Sequence, residues 1–364
     1  MALATRFRAS LARSVTAPIT ADVPATGVPT TGVPTTKGIG RTAWIYAAKR
    51  AQHGFVRHRG LDSAAALTFF ATLALFPGAL AVVSAFATVD NRDSAIENIL
   101  TVVSEFVTDS TIETIRPPLE SLLSISNPWL AFVIGLALAA WSLSSYATAF
   151  GRAMNAVYEV QEGRRVVLFR GLMILLALLL MVGFAAIAVI LLTTPRAAEA
   201  IGATVGIGEP WQTLWNFGKW PVLAILVFLI IAVLYYVTPN VKHSRVRWVS
   251  WGALFAIVTW GLATLAFAIY VMTVSTYDRV YGWIGGGLAL VIWLYITNLV
   301  LVLGAEVDAE LVRVRQLTAG IPAEEVIQLP ARGTGRTLRL ARIRAEDVQA
   351  GRAIRENAER TQQP

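Results

Sequence analysis

The sequence predicts an all-α polytopic membrane protein, a bundle of six transmembrane helices with amphipathic helices outside the membrane. The chain has 364 residues, of which 55% are hydrophobic and only 15% charged, and its mean hydropathy is +0.59. A soluble domain of this length does not need so much apolar sequence for its core. The apolar residues also form runs of about 20, enough for a helix to cross roughly 30 Å of hydrocarbon. These runs lack the alternation of barrel strands, so the spans are predicted to be helices.

Six such runs are present along the chain. In order they are Ser63–Thr88, Trp129–Met154, Val166–Thr194, Trp220–Val237, Trp248–Thr273 and Trp283–Gly304. Four of them begin at a tryptophan, whose amphipathic ring prefers the headgroup level of a bilayer. The tryptophans therefore support the boundaries that hydropathy predicts.

The distribution of basic residues predicts the orientation of the bundle. Residues 1–62 hold nine Lys and Arg, and the segment after Leu311 holds ten. Between the first two spans, residues 89–128 hold two Arg against seven carboxylates. Because basic residues are retained on the cytoplasmic side, both termini are predicted to be cytoplasmic.

The segment before the first span divides into two parts. Residues 1–41 contain the near-repeat TGVPTTGVPTT and have little to bury, so we expect a disordered N-terminal segment. The basic start of this segment leaves a mitochondrial transit peptide as an alternative. Residues 41–60 mix aromatic and basic side chains, which fits either a helix on an anionic inner leaflet or a basic linker.

Two further segments lie outside the spans. After the first span, apolar residues recur at helical spacing, which predicts an amphipathic helix that either packs over the bundle or covers an outward-facing cavity. These residues are Ile96, Ile99, Leu100, Val103, Phe106 and Val107. Residues 312–364 are predicted to be a polar cytoplasmic tail, solvated and partly helical or disordered. Its ten basic residues are offset by six acidic ones, so no specific nucleic-acid partner is expected.

Four stretches of the chain carry a family resemblance. They are AAALTFFATLALFPGAL (64–80), AFGRAMNAVYEV (149–160), LYYVTPNVK (234–242) and STYDRVYGWIGGGLALVIWLYITNLVLVLGAE (275–306). With the order of the spans, they make residues 42–311 resemble the YihY/BrkB family. The resemblance implies a multi-pass protein of the bacterial inner (plasma) membrane, with suggested roles in envelope transport or resistance. An old label of the family, ribonuclease BN, would imply a nuclease.

The residues do not support nuclease chemistry. A metal-dependent nuclease needs clustered His and carboxylate ligands to activate water. The chain has no Cys, and its three His (His53, His58 and His243) show no metal-ligand spacing. A phosphate-cradling Gly-Lys-Ser/Thr loop is also missing from the sequence. We therefore expect no catalytic site, no cofactor and no metal, and ribonuclease is the disfavoured alternative.

If the protein is a transporter, its spans should contain polar groups and helix breaks at membrane depth. Pro77 lies near the middle of the first span, and the second and sixth spans contain small polar side chains. These groups can line a path for an envelope lipid or small molecule, or they can join helices in a non-transporting scaffold. The candidate positions are Pro77, Ser144, Ser145, Arg152, Tyr281, Gly282, Tyr295, Asn298 and Glu306. Membrane lipids are the expected partners, and the oligomeric state is not predicted.

Glu306 has two interpretations. It lies 23 residues after Trp283, roughly 34 Å along a helix, which puts it at the inner headgroup boundary. A carboxylate there is the ordinary end of a span. Alternatively, helix tilt brings Glu306 into the bundle, where it pairs with a cation such as Arg152 while Glu310 faces water.

Overall fold

The computed structural model describes residues 40–89, 127–192, 210–242, 251–273 and 276–362, with a few residues between 96 and 121. These ranges contain eight named helices and one isolated bridge, Val241 to Ala331. The helices are α1 (Arg41–Arg57), α2 (Gly60–Val89), α3 (Pro128–Val157), α4 (Val166–Leu192), α5 (Pro210–Val237), α6 (Trp251–Thr273), α7 (Thr276–Thr318) and α8 (Gly335–Gln362). The predicted disordered segment and most of the predicted helix after the first span lie outside the described residues.

The all-α prediction is confirmed, and six of these helices are long and apolar enough to cross a membrane. Their apolar parts are Gly60–Ala85, Pro128–Val157, Val166–Leu191, Phe217–Val237, Gly252–Val271 and Gly285–Thr318. Each overlaps one of the six predicted spans. Large apolar side chains such as Phe76 (76% exposed) and Val167 (82%) lie on the outer surface of the bundle. Such a surface is suited to lipid.

Helix α7 runs much further than predicted. The predicted span ends at Gly304, whereas the helix continues to Thr318 and has 43 residues. The added turns are stabilised because α1 packs against them, with Ala47 of α1 in one buried cluster with Leu311 and Val314. Of the two interpretations of residues 41–60, the structure therefore excludes a linker: α1 is a helix that buries one face on α7.

The chain after α7 folds back onto the bundle. The N–H of Lys242 donates to the Pro330 carbonyl at 2.8 Å, and the N–H of Arg332 donates to the Asn240 carbonyl at 3.1 Å. Helix α8 is exposed along its length, whereas the prediction of a solvated tail is wrong for residues 312–334, several of which are buried. We call the end of the bundle where α1, the α7 extension (305–318) and residues 319–334 meet the capped end.

Candidate functional site

Charged side chains of the α7 extension are buried at the capped end. Glu306, Glu310 and Arg313 expose 0%, 1% and 0% of their surface. The expectation that Glu310 faces water is therefore wrong, because α1 covers this side of α7. Burying a charge is costly unless it is paired and hydrogen-bonded. The partners of these groups consequently determine how the capped end is held together.

Glu306 pairs with His58, which directly follows α1. Nδ1 of His58 lies 2.8 Å from Oε1 of Glu306, and the His58 side chain is only 11% exposed. The structure thus places Glu306 inside the bundle rather than at a solvated span end. The predicted partner was Arg152, but that side chain is exposed on α3. His58 takes its place because the packing of α1 on α7 brings it to the buried carboxylate.

The second oxygen of Glu306 lies against a glycine of α1. A Cβ atom at Gly54 would stand 2.7 Å from Oε2 of Glu306, so the carboxylate fits only where α1 has no side chain. Within the described part of the chain this oxygen is buried without a hydrogen-bond partner. An unpaired buried polar atom is unfavourable and therefore requires an explanation. Glu306 is for this reason the main candidate for a functional group.

Arg313 and Glu310 form a second buried pair beside the first. Nε of Arg313 donates to Glu310 at 2.9 Å, and Arg50 of α1 donates to the same oxygen at 3.2 Å. The remaining Arg313 nitrogens donate to the Ala323 carbonyl at 2.7 Å and to Glu159 at 3.0 Å. One guanidinium therefore joins α7, the turn after α3 and the segment that follows α7.

Glu159 is held in an unusual backbone conformation. Its φ is 55°, in the left-handed region that non-glycine residues seldom occupy. In this position its carboxylate accepts from Arg57 at 2.9 Å, from Arg313 at 3.0 Å and from the N–H of Ile327 at 3.3 Å. Nε2 of His58 is 3.9 Å away. Glu159 thus contributes a carboxylate that links both buried pairs.

Tyr158 connects the end of α3 to the opposite side of α7. Its hydroxyl donates to Asp308 at 2.9 Å, and it is 1% exposed. Burial, and then the charge of Asp308, raises the pKa of Tyr158 well above its ordinary value. The phenol therefore stays protonated and remains a donor. Gly252 of α6 makes room for this contact, since a Cβ there would lie 2.4 Å from Cβ of Asp308.

The loops at the capped end are joined by a polar clamp. Glu162 accepts from Asn155 at 2.9 Å and from Arg164 at 2.7 Å, and Arg164 also donates to the Thr238 carbonyl at 2.7 Å. Burial raises the pKa of Glu162, but the hydrogen bonds from Arg164 and Asn155 outweigh burial, so the net pKa is lowered. The clamp fixes the loop after α3 to the end of α5.

At membrane depth, Asn298 joins three helices. Its side-chain oxygen accepts from the Tyr146 hydroxyl of α3 at 2.8 Å. Its amide donates to Thr68 of α2 at 3.2 Å and to the Leu294 carbonyl at 2.9 Å. Asn298 is 2% exposed, so these bonds replace water. This arrangement is that of an interhelical contact.

Pro77 serves close packing as well. It lies inside α2, which continues as a helix through it. A Cβ at Gly135 of α3 would be 2.9 Å from the Pro77 carbonyl oxygen and 2.9 Å from the Ala81 nitrogen. The two helices thus approach each other at Gly135, as small residues permit.

The other predicted positions lie apart from the capped end. Ser144 is buried, Tyr295 is partly buried, and the Ser145 hydroxyl donates at 3.1 Å to the Trp141 carbonyl of its own helix. Tyr281 and Gly282 belong to α7, but their side-chain surroundings lie outside the described residues.

The described residues bring together no group of three His, Cys, Asp or Glu that could hold a metal ion. His243 lies outside those residues. The carboxylates of the capped end are instead matched with arginines and with His58. The arrangement is that of a buried ionic network.

The sequence profile of the family described as Virulence factor BrkB matches residues 51–326. The chain belongs to the BrkB family. The match begins within α1 and ends beyond α7, so it includes His58, Glu159 and Glu306. The match extends beyond Leu311 and so includes the rest of α7.

Curated relatives of the chain include proteins named as membrane proteins. A ribonuclease-like protein of Bacillus subtilis (strain 168), YfkH, is 27% identical over 72% of this chain and 94% of its own length. A UPF0761 membrane protein of Laribacter hongkongensis is 31% identical over 70% of this chain and 58% of its own length. One of Alkalilimnicola ehrlichii is 27% identical over 80% of this chain and 61% of its own. The chain thus spans about three fifths of these UPF0761 relatives. No solved structure matches the chain.

Several residues of this BrkB-family site were not predicted from the sequence. The sequence offers His58 only as a possible metal ligand, and it marks neither Glu159 nor Arg313 as a site residue. One signal was available: Gly54 and His58 are four residues apart and therefore share a helical face. That spacing does not identify Glu306 as the group they contact.

Proposed function

We propose that this BrkB-family protein resides in the bacterial inner membrane with its capped end in the cytoplasm, and that it moves or accommodates an envelope lipid or small molecule. The observation that carries this proposal is the burial of Glu306, with one oxygen unpartnered among the described residues, in the last of six candidate spans. Ionisable side chains within membrane spans are costly and are typical of substrate or ion paths.

The contacts of Glu306 suggest how it acts. A proton or a substrate donor at Oε2 would supply the hydrogen bond that this oxygen lacks, and would weaken the attraction to His58. Because Gly54 and His58 both contact this carboxylate, the change would act directly on the packing of α1. Helix α7 also packs against α2 and α3, so a shift at the capped end would reach the spans.

A non-transporting scaffold is the second candidate. The observation that favours it is Asn298, whose polar atoms are matched by Tyr146, Thr68 and the Leu294 carbonyl. A side chain that lines a substrate path is expected to have a free hydrogen-bond donor or acceptor for the substrate. The side chain of Asn298 instead serves helix packing.

The name of the Bacillus relative suggests ribonuclease activity. We do not propose that activity for this chain. No ligand cluster among the described residues supports the chemistry. Incubation of the purified protein with tRNA and Mg²⁺ tests this point directly, and we expect the tRNA to stay intact. Cleavage that disappears when the protein's own carboxylates are substituted would overturn this view.

Lipid movement in reconstituted vesicles tests the main proposal. Vesicles of phosphatidylethanolamine and phosphatidylglycerol would carry a trace of fluorescent phospholipid, and dithionite would report its exchange between leaflets. We expect exchange faster than in protein-free vesicles, and a loss of several-fold with Glu306→Gln. The matched control is Glu356→Gln, at an exposed carboxylate of α8. Exchange no faster than in empty vesicles would contradict lipid movement and favour the scaffold.

A further inference from the structure

An open apolar groove lies at the capped end where α1 and α6 both pack against α7. It has a volume of about 350 Å³ and is lined by Trp44, Leu254, Phe255, Val258, Val307 and Leu311. We propose that this groove binds one acyl chain of an anionic phospholipid from the leaflet at the capped end. The proposal concerns a resident lipid and does not depend on lipid movement by the protein.

The depth of the groove matches the boundary of a bilayer. Val258 and its neighbours on α6 belong to a candidate span, whereas α1 belongs to none. Val307 and Leu311 are the more buried lining residues and form the floor, while Trp44 lies at the α1 side. Tryptophan prefers the headgroup level. The groove therefore runs from the hydrocarbon region up to the level of the headgroups.

The charge of α1 complements an anionic headgroup. The helix contains four Lys and Arg and no Asp or Glu. Arg50 and Arg57 pair with buried carboxylates, whereas Arg41 and Lys49 are exposed with no carboxylate within 4 Å among the described residues. Arg41 is three residues before Trp44 and so shares its side of the helix. Basic side chains at this level attract anionic lipids.

These observations favour lipid over a protein occupant. The lining is wholly apolar, which suits an acyl chain and offers no hydrogen bond to a peptide backbone. Arg41, on the Trp44 side of α1, is exposed where the phosphate of a lipid seated in the groove could reach it. A zwitterionic lipid would fill the apolar lining equally well, but its own cationic group would offset the attraction of its phosphate to Arg41 and Lys49.

The absence of native cysteine allows a local measurement of lipid binding. Ala48 is exposed on α1 one helical turn after Trp44, so Ala48→Cys would carry a fluorophore beside the groove. The matched control is Val182→Cys on α4, which faces outward and is 67% exposed. Each labelled protein would be reconstituted with brominated phosphatidylglycerol or brominated phosphatidylcholine. We expect phosphatidylglycerol to quench roughly two-fold or more strongly at Ala48→Cys, and both lipids to quench equally at the control.

Two variants distinguish recognition of the lipid headgroup from binding of the acyl chain. Arg41→Gln with Lys49→Gln alters only exposed side chains, so folding is retained, and we expect the preference for phosphatidylglycerol to disappear. Val258→Trp fills the groove and should lower quenching by both lipids at Ala48→Cys. Equal quenching by the two lipids in the unsubstituted background would overturn the proposal. Quenching by neither lipid, together with dimerisation that shields the label, would overturn it by placing a second copy in the groove.

Discussion

Nδ1 of His58 and Oε1 of Glu306 lie 2.8 Å apart although 248 residues separate them in the chain. One residue follows the first helix and the other begins the extension of the long seventh helix. The contact therefore joins the two ends of the membrane domain, since the six candidate spans begin after His58 and the last of them contains Glu306. It also places a titratable side chain beside a carboxylate that is otherwise buried.

Replacing the carboxylate of Glu306 should destabilise the protein. Glu306→Gln keeps the size of the side chain but puts an amide where His58 contacts a carboxylate oxygen, at a cost of about 1–3 kcal/mol. Thermal unfolding in detergent would show this as a lower Tm. Glu346→Gln, at an exposed position of α8, is the control and should leave the Tm unchanged. Equal Tm values for the two variants would contradict a structural role of the pair.

Glu310→Gln should be damaging as well. Glu310 is 1% exposed and accepts from both Arg313 and Arg50, so its substitution leaves two cations with a weaker partner. We expect a loss of similar size to that of Glu306→Gln, about 1–3 kcal/mol. The measurement is the same thermal unfolding, and a neutral effect would contradict a stabilising role of the pairs that Glu310 forms with Arg313 and Arg50.

Gly54→Ala tests the contact between α1 and Glu306. The added Cβ would lie 2.7 Å from Oε2 of a fully buried side chain, so the carboxylate must move away from His58. Overpacking of this kind costs about 1–3 kcal/mol. Gly171→Ala on α4 is the matched control, because a Cβ there meets nothing within 4 Å. The control should be neutral or stabilising by about 0.4–1 kcal/mol, whereas a stabilising Gly54→Ala would contradict the described packing.

Acid should weaken the loop clamp through Glu162. Its folded pKa is lowered below the ordinary value of 4.5, so the unfolded chain binds the proton more readily. The stability that Glu162 contributes is present above its unfolded pKa and is lost as the pH falls through the folded pKa. Unfolding followed below about pH 4.5 should therefore show a slope that Glu162→Gln reduces. An unchanged slope would mean that the clamp does not favour the ionised form.

The orientation can be tested with single cysteines and an impermeant thiol reagent on intact cells. Glu120→Cys should react from outside, whereas Arg165→Cys and Ala358→Cys should not, since basic loops are retained in the cytoplasm. Gly163 is unsuitable for such a probe, because a Cβ there would fall 2.0 Å from the Gly333 carbonyl oxygen. Labelling of Arg165→Cys from outside would reverse the proposed topology.

Much of the fold could be predicted because the hydropathy of a segment indicates whether that segment lies in lipid or in water. The apolar runs from Val166 and Trp220 both correspond to helices that end within a few residues of the predicted ends. The end of α7 was missed for the same reason. After Gly304 the sequence becomes polar, but the helix continues because α1 and the returning chain supply partners for Glu310 and Arg313.

The candidate site was predicted only in part. The sequence marks Glu306 as unusual through its place at the end of an apolar run. It does not identify His58 as the partner, because that pairing depends on how α1 packs on α7. The sequence favours Arg152 because it is a cation at the predicted cytoplasmic end of the second span, but its side chain is exposed.

A double-mutant cycle between His58 and Glu306 tests the central claim most directly. Thermal unfolding would be measured for the wild type, His58→Gln, Glu306→Gln and the double variant. If the two side chains form a buried pair, the losses will not add, and the coupling free energy will be about 1 kcal/mol or more. Additive losses, with no coupling between the two positions, would contradict the pair at the centre of the capped end.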